Sequence, residues 1–239
     1  MTQPPPTTKT ISLNPYGITS SKAHYQLSPN QLHALTIAKK QGLETSSGAL
    51  AIQTGEFTGR SPKDRFIVKD AITKERIWWG DVNIPFAPDD FDALYAKVTS
   101  YLSGKEIFVR DSYACSDPAY RTNIRVINEY PWSNYFAYNM FLRPTESELK
   151  NFDPEWTVIN VPGFMADPNK DGTRQHNFAI LNFTKKIALI GGTGYTGEIK
   201  KGIFSALNFI LPVFKNTLPM HCSANVGKEG DTSIFFGLS

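Results

Sequence analysis

The sequence predicts an α/β protein in which helices flank a mixed β-sheet. Segments rich in β-branched and aromatic residues alternate with amphipathic segments, and glycines and prolines separate them. Hydrophobic residues make up 41% of the 239-residue chain, enough for one large core or two smaller ones. We find no internal repeat and no long linker, so the alternation itself defines the architecture.

The first helix is predicted from the pair Ser28 and Pro29, which is typical of an N-cap followed by proline at the first helical position. It is expected to run to about Gln41 and to stop at Gly42. Upstream of it, we expect residues 1–10 to be disordered, because prolines and threonines bury little surface. The apolar residues expected to point inward are Leu32, Leu35 and Ile37.

Two β segments and a second helix follow. Residues 49–53 are predicted to form a buried strand, residues 54–64 (TGEFTGRSPKD) a loop, and residues 65–68 a further strand. Asp89 or Asp90 is predicted to cap a helix that ends at Gly104. Its apolar face consists of Phe91, Leu94, Tyr95, Val98 and Leu102.

The last third of the chain is predicted to contain more strands than the parts before it. A short helix is predicted at 132–142, and Thr145 with Glu148 forms a capping-box pattern for another helical turn. One long helix is predicted at about 197–211, just before Pro212. The predicted strands are 106–113, 123–127, 157–160, 177–183, 187–190 and 233–236.

The most informative stretch is 190–202 (IGGTGYTGEIKKG), a glycine-rich turn between a strand and a helix. Glycines there allow the backbone to approach a ligand closely. Lys200 and Lys201 lie where the helix dipole disfavours cations, so an anion or a metal ion would compensate them. A neighbouring cation also lowers a lysine's pKa, and only the neutral amine can bind a metal. A solvated basic pair is the alternative interpretation.

Two further positions could carry chemistry. Arg60, in the 54–64 loop, could bind a carboxylate or a phosphate through two parallel hydrogen bonds, although on spacing alone a surface hairpin with solvated charges explains the loop better. His221 lies among small polar residues between Pro219 and Gly227, a setting typical of a functional loop. A lone histidine is nevertheless more often structural than a ligand.

Composition excludes several classes of protein. The net charge of +3 is small and gives no clustered basic face, so we expect no nucleic-acid partner. Cys115 and Cys222 lack zinc-site spacing, which favours a reducing, cytoplasmic setting. We find no secretory signal at the N-terminus and no apolar run long enough to span a bilayer.

Three ordered motifs closely resemble ATP-dependent phosphoenolpyruvate carboxykinases. They are FTGRSPKDRFIV (57–68), IGGTGYTGEIKKGIFS (190–205) and PMHCSANVGKEGDTSIFFGLS (219–239), with weaker agreement at NMFLRP (139–144). The resemblance covers the chain from about residue 10. It implies a carboxy-lyase that converts oxaloacetate and ATP to phosphoenolpyruvate, ADP and CO2 in gluconeogenesis, with Mn2+ and Mg2+.

The resemblance also implies roles for individual residues. Arg60 resembles the arginine that binds the substrate carboxylate, and Tyr195 the tyrosine that lines the substrate pocket. Lys201 and His221 resemble the Mn2+ ligands, which also approach the nucleotide phosphates, and Lys200 resembles a basic neighbour that holds the transferring group. The start of the nucleotide-binding loop would be Gly237, Leu238 and Ser239.

The same resemblance implies a domain division and a missing part. Residues 11–215 would form the substrate-binding domain, and 216–239 would begin the nucleotide-binding catalytic domain, whose remaining ligands lie beyond the chain. We therefore expect a fragment that is inactive alone. The alternative is a non-catalytic module that binds a dicarboxylate, and a small P-loop kinase is disfavoured because no Lys-[Ser/Thr] follows the first glycine.

Overall fold

The computed structural model describes residues 11–19 and 22–237; the expected disorder of residues 1–10 lies outside this part of the chain. The helices are α1 (Pro29–Ala38), α2 (Pro88–Leu102), α3 (Pro131–Met140), α4 (Glu146–Leu149) and α5 (Gly197–Lys215). The strands are β1 (Lys22–Tyr25), β2 (Leu43–Glu44), β3 (Leu50–Ala51), β4 (Arg65–Val68), β5 (Ile84–Phe86), β6 (Glu106–Ala114), β7 (Thr122–Asn128), β8 (Trp156–Val161), β9 (Phe178–Asn182), β10 (Ile187–Gly191), β11 (Ser223–Val226) and β12 (Thr232–Phe235).

Eight strands form one mixed sheet in the order β1-β6-β7-β8-β10-β9-β4-β5. The pairs β6–β7 and β9–β10 are antiparallel, and the other neighbouring pairs in the sheet are parallel. Parallel pairs need crossover connections, and α3 and α4 lie in the connection between the parallel strands β7 and β8. The connection between the parallel strands β1 and β6 contains α1 and α2. The prediction of an α/β fold with a mixed sheet is confirmed.

Both faces of the sheet are covered. Successive side chains of a strand point to opposite faces, so in β10 Ile187 and Leu189 join one apolar cluster while Ala188 and Ile190 join another. The first cluster receives the predicted apolar face of α2, and the second receives α5 and Ala137 of α3. The continuous apolar run of β10 thus reflects burial on both sides.

The start of α1 is as predicted, but its end is not. The Ser28 side chain accepts a hydrogen bond from the Gln31 backbone N–H, and the Gln31 side chain accepts one from the Ser28 N–H, forming a capping box. The helix ends at Ala38 rather than near Gln41. Ile37, expected inward, is exposed, and Thr36 is buried instead because its hydroxyl donates to the carbonyl of Leu32 at 2.8 Å.

Two other helix boundaries also differ. Ala87 is the N-cap of α2, with Pro88 at the first position, so Asp89 and Asp90 lie in the first turn rather than at the cap. Helix α5 continues through Pro212 to Lys215. A proline removes one backbone hydrogen bond, and the buried residues of this 19-residue helix end at Leu211, so Pro212 lies in its exposed last turn.

The predicted buried strand at 49–53 is wrong. Only Leu50 and Ala51 pair, with the two residues of β2, and Ala51 is exposed. The last predicted strand exists as β12, but it pairs only with β11, and both strands are exposed. Sequence analysis missed β1, β2, β5 and β11, which are too short to show a period. Among the described residues, no helix has the length and apolar character needed to cross a membrane.

Candidate active site at the start of helix α5

The glycine-rich turn after β10 packs against the 54–64 loop. The Gly194 N–H donates to the carbonyl oxygen of Thr54 at 3.2 Å. A Cβ at Gly194 would lie 2.7 Å from that oxygen, and one at Gly192, where φ is +68°, would lie 2.4 Å from the carbonyl oxygen of His176. These two glycines therefore permit contact between backbone segments of the protein itself. The contact places Arg60 beside the start of α5.

A buried ion pair fixes the start of α5 to β4. Arg65 donates from Nε to Oε2 of Glu198 and from Nη2 to Oε1, both at 2.9 Å. The Glu198 side chain is 4% exposed, and the Ser61 backbone N–H approaches the same carboxylate at 3.5 Å. A carboxylate in the first turn also suits the helix dipole. The pair thus orients the turn that carries Lys200 and Lys201.

A second buried carboxylate closes the 54–64 loop. Asp64 accepts two hydrogen bonds from Arg174, at 2.9 and 2.8 Å, and one from the Gln175 side chain at 2.7 Å. The Ser61 hydroxyl donates to it at 2.5 Å. Asp64 is almost fully buried, so these four bonds compensate its desolvation. Sequence analysis missed both buried carboxylates, Asp64 and Glu198. The local sequence offers only weak signals for them: Asp64 precedes an arginine, and Glu198 lies in the first turn of a helix.

Lys200 is exposed, whereas Lys201 is partly buried. Burial lowers the pKa of Lys201, and the positive charges of Arg60, Lys200 and Arg65 lower it further, against an opposing effect of Glu198. The neighbour effect inferred from the sequence therefore acts in the expected direction. Three cations converge on this amine, which makes the site suited to an anion and makes the neutral amine more accessible.

Lys201 and His221 meet at one aromatic ring. The Nζ of Lys201 lies 5.0 Å from the ring centroid of Phe204, and the imidazole of His221 lies 5.3 Å from the same centroid, centroid to centroid. His221 is exposed. A neutral amine and an imidazole are nitrogen donors that can bind a first-row divalent metal ion. Within residues 11–19 and 22–237, no cluster of three or more His, Cys, Asp or Glu side chains could hold a metal.

The other predicted residues lie at the margins of this group. The Tyr195 ring covers Gly197 at the helix start, where a Cβ would lie 2.4 Å from the ring, and its backbone N–H donates to the Thr193 hydroxyl at 3.1 Å. Gly237 follows the exposed strand β12, and a Cβ there would meet no atom within 4 Å. Leu238 and Ser239 lie outside the described residues.

The site therefore combines an exposed Arg60, a lysine of lowered pKa and an exposed histidine on rigid support. Such an arrangement can bind a carboxylate or phosphate and, through Lys201 and His221, supply two donors to a divalent cation.

Known proteins are similar to this chain over most of its length. A family model described as phosphoenolpyruvate carboxykinase matches residues 21–239. A phosphoenolpyruvate carboxykinase (ATP) of Christiangramia forsetii is 71% identical over 232 residues, which is 97% of this chain and 44% of that protein. The one from Flavobacterium johnsoniae is 71% identical over 231 residues, 97% of this chain and 43% of its own length. The one from Geobacillus kaustophilus is 50% identical over 217 residues. The chain spans less than half the length of these relatives.

Proposed function

Since the chain belongs to the phosphoenolpyruvate carboxykinase family, we propose that it supplies the substrate- and metal-binding wall of an ATP-dependent carboxy-lyase. The reaction converts oxaloacetate and ATP to phosphoenolpyruvate, ADP and CO2, as a step of gluconeogenesis. The convergence of Arg60, Lys200 and Lys201 beside the buried Arg65–Glu198 pair carries this proposal.

Each residue has a part in the chemistry. Arg60 binds the substrate carboxylate through its guanidinium, and Tyr195 lines the same pocket. Loss of CO2 from a β-keto acid leaves an enolate, and the ammonium of Lys200 helps to stabilise its negative charge. The enolate oxygen then attacks the γ-phosphate in line, and ADP leaves. Lys201 and His221 would hold Mn2+, and Mg2+ would accompany the nucleotide.

A divalent cation, when bound, adds positive charge where negative charge develops. The protein's own contribution is positional: the Arg65–Glu198 pair holds the first turn of α5, and the glycine contacts hold the Arg60 loop beside it. Preorganised charges of this kind need no rearrangement during the reaction. Phosphoryl transfer depends mainly on such positioning.

We further propose that residues 11–215 form the substrate-binding domain and that 216–239 begin a nucleotide-binding domain. The exposed β11–β12 hairpin, which pairs with no strand of the eight-stranded sheet, supports this division. Gly237, Leu238 and Ser239 would then begin the loop that binds ATP. The free thiols of Cys115 and Cys222 support a cytoplasmic location.

The test uses two polypeptides. The first is this 239-residue chain, and the second, called here the completed protein, joins it to the part of the Christiangramia forsetii relative that the chain does not span. We expect ATP-dependent formation of phosphoenolpyruvate from oxaloacetate by the completed protein and none by the chain alone. Turnover by the chain alone would contradict the proposed division of the site.

Calorimetry separates the proposal from a non-catalytic dicarboxylate-binding module. Oxalate is titrated into the chain with and without Mn2+. Binding that strengthens with Mn2+ supports a site in which metal and anion act together. Equal binding under both conditions, combined with no turnover by the completed protein, would favour the binding module.

A further inference from the structure

A cavity of about 670 Å3 opens between α5, strands β4 and β9, and the segment 76–83. Its volume is in the range of pockets that bind small organic molecules. Arg60, Tyr195 and His221 do not line it, and the residues that it shares with the candidate active site are Lys201 and the supporting pair Arg65 and Glu198. Its floor is apolar and consists of Ile67, Leu181, Phe183, Ala188, Ile190 and Phe209.

Gly202 faces this cavity from the interior of α5. Its φ is not in the left-handed region, and a Cβ there would meet the Cβ of Ala188 at 3.5 Å and Cδ1 of Ile190 at 4.0 Å, which are ordinary contacts. Alanine would favour the helix by about 1 kcal/mol relative to glycine. Neither backbone conformation nor close packing therefore accounts for the glycine, and its absent side chain leaves room in the cavity.

The cavity lining is positively charged. Four cationic side chains and two carboxylates line it. Glu198 neutralises Arg65, but Lys63, Arg76 and Lys201 form no ion pair with any residue that the structure describes. Asp81 also lines the cavity, so these three cations exceed the remaining carboxylate by two. An apolar floor beside this excess of positive charge is complementary to a ligand with an apolar body and one negative group.

We propose that this cavity binds an amphipathic carboxylate, with its apolar body on the floor and its carboxylate among Lys63, Arg76 and Lys201. Lys201 lines both the cavity and the candidate active site, so an occupant of the cavity would lie next to a residue of that site. The cavity is thus placed for an effector that acts on the neighbouring site. This inference stands without the proposed enzymatic function.

Binding is tested with naphthoate and with naphthylmethanol, a neutral compound of similar shape, by calorimetry in the absence of nucleotide and metal. We expect naphthoate to bind the chain and the completed protein. Naphthylmethanol is expected to bind roughly tenfold more weakly, because its hydroxyl can accept a hydrogen bond from a cation but carries no negative charge to attract it. Equal affinity for the two compounds, or no binding of naphthoate to the chain, would overturn the proposal. Binding to the chain but not to the completed protein would show that polypeptide covers the cavity, and would overturn it too.

Variants locate the ligand. Gly202→Val fills the cavity and is expected to weaken naphthoate binding at least tenfold, whereas Ala93→Val, on the exposed face of α2, leaves it unchanged. Arg76→Gln is expected to weaken it severalfold, and Lys74→Gln, an exposed neighbour outside the cavity, to have no effect. Thermal unfolding checks that each variant folds.

Gly202→Ala keeps the test decisive if valine disrupts the helix. It is expected to raise Tm, because alanine favours the helix, while it weakens naphthoate binding. A folded Gly202→Val variant that binds naphthoate with wild-type affinity would refute the assignment. So would wild-type affinity for naphthoate in Gly202→Val, Gly202→Ala and Arg76→Gln together, because the ligand would then bind elsewhere. If the completed protein forms no phosphoenolpyruvate but still binds naphthoate, the enzymatic function proposed above fails and the proposed cavity ligand stands.

Discussion

The guanidinium of Arg65 and the carboxylate of Glu198 form two parallel hydrogen bonds of 2.9 Å, which tie strand β4 to the first turn of α5. The carboxylate is 4% exposed and the guanidinium 27% exposed, so water screens this pair little on the Glu198 side. Because the next two turns of chain carry Lys200, Lys201 and Phe204, the pair sets the position of the candidate site.

Replacing Glu198 with alanine is expected to destabilise the fold by about 3 kcal/mol, because it leaves the Arg65 charge partly buried without a partner. Urea unfolding of the chain measures the effect. Glu56→Ala removes an exposed carboxylate and serves as the matched control, for which we expect a change below about 0.5 kcal/mol. Similar midpoints for the two variants would mean that the ion pair contributes no net stability.

Gly194→Ala is expected to separate the glycine-rich turn from the 54–64 loop. The added Cβ would lie 2.7 Å from the carbonyl oxygen of Thr54, so backbone must shift, at a cost of about 1–3 kcal/mol. Gly59→Ala is the control, because a Cβ there meets no atom within 4 Å. Protection of the backbone amide at position 194, relative to its intrinsic exchange rate, is expected to fall only in the first variant. Unchanged protection would show that the two segments do not depend on this contact.

The pKa of Lys201 is expected to rise when its cationic neighbours are removed. Burial lowers this pKa first, and Arg60 and Lys200 lower it further, so Arg60→Gln and Lys200→Gln each relieve repulsion of the ammonium form. The neutral amine then appears only at higher pH. Titration of the Lys201 side-chain nitrogen by NMR measures the shift.

Lys150→Gln is the control for that titration, because Lys150 is an exposed cation outside the group of residues that act on Lys201. An equal Lys201 pKa in the parent, Arg60→Gln and Lys200→Gln proteins would show that these charges do not converge. A lower Lys201 pKa in the two variants would contradict the proposed repulsion between these cations.

A separate carboxylate, Glu106 at the β1 edge of the sheet, predicts acid sensitivity. Burial by itself raises its pKa, but hydrogen bonds from Lys39, His24 and Lys22 outweigh burial and lower the pKa from 4.5 to about 2. The folded carboxylate thus holds its proton less tightly than the unfolded one. Its contribution, about 3 kcal/mol, is present above pH 4.5 and is lost as the pH falls toward 2.

Glu106→Gln is therefore expected to lower the free energy of unfolding at pH 7, and its difference from the parent protein is expected to shrink between pH 4.5 and pH 2. Urea unfolding at several pH values follows this difference. Glu75→Gln, which alters an exposed carboxylate, controls for net charge. A difference that stays constant over this pH range would refute the linkage.

Local features of the sequence predicted local structure well. The Ser28 and Thr145 capping boxes, the strand before the glycine-rich turn and the amphipathic α5 all depend on residues a few positions apart. The prediction for residues 49–53 was wrong because apolar character alone does not tell a buried strand from a two-residue pair. The four-residue strands β4 (RFIV) and β12 (TSIF) were predicted because each contains adjacent apolar residues, whereas β1 (KAHY) and β11 (SANV) contain none and were missed.

The support of the site could not be predicted because it joins distant parts of the chain. Arg65 and Glu198 are 133 residues apart, and Asp64 and Arg174 are 110 apart. A single sequence gives no signal that such residues meet. The proximity of Arg60 to Lys201 likewise depends on how β4 and β10 flank β9 in the sheet. The resemblance to a family suggested which side chains matter, and the fold explains how they are held.

The most direct test of the proposed metal site is the Mn2+ concentration that gives half-maximal activity in the completed protein. Lys201→Met and His221→Gln each remove one proposed ligand, so we expect this concentration to rise at least tenfold in either variant. Lys215→Met, at the far end of α5, is expected to match the parent protein. Parent-like Mn2+ activation in both ligand variants would contradict the assignment of Lys201 and His221.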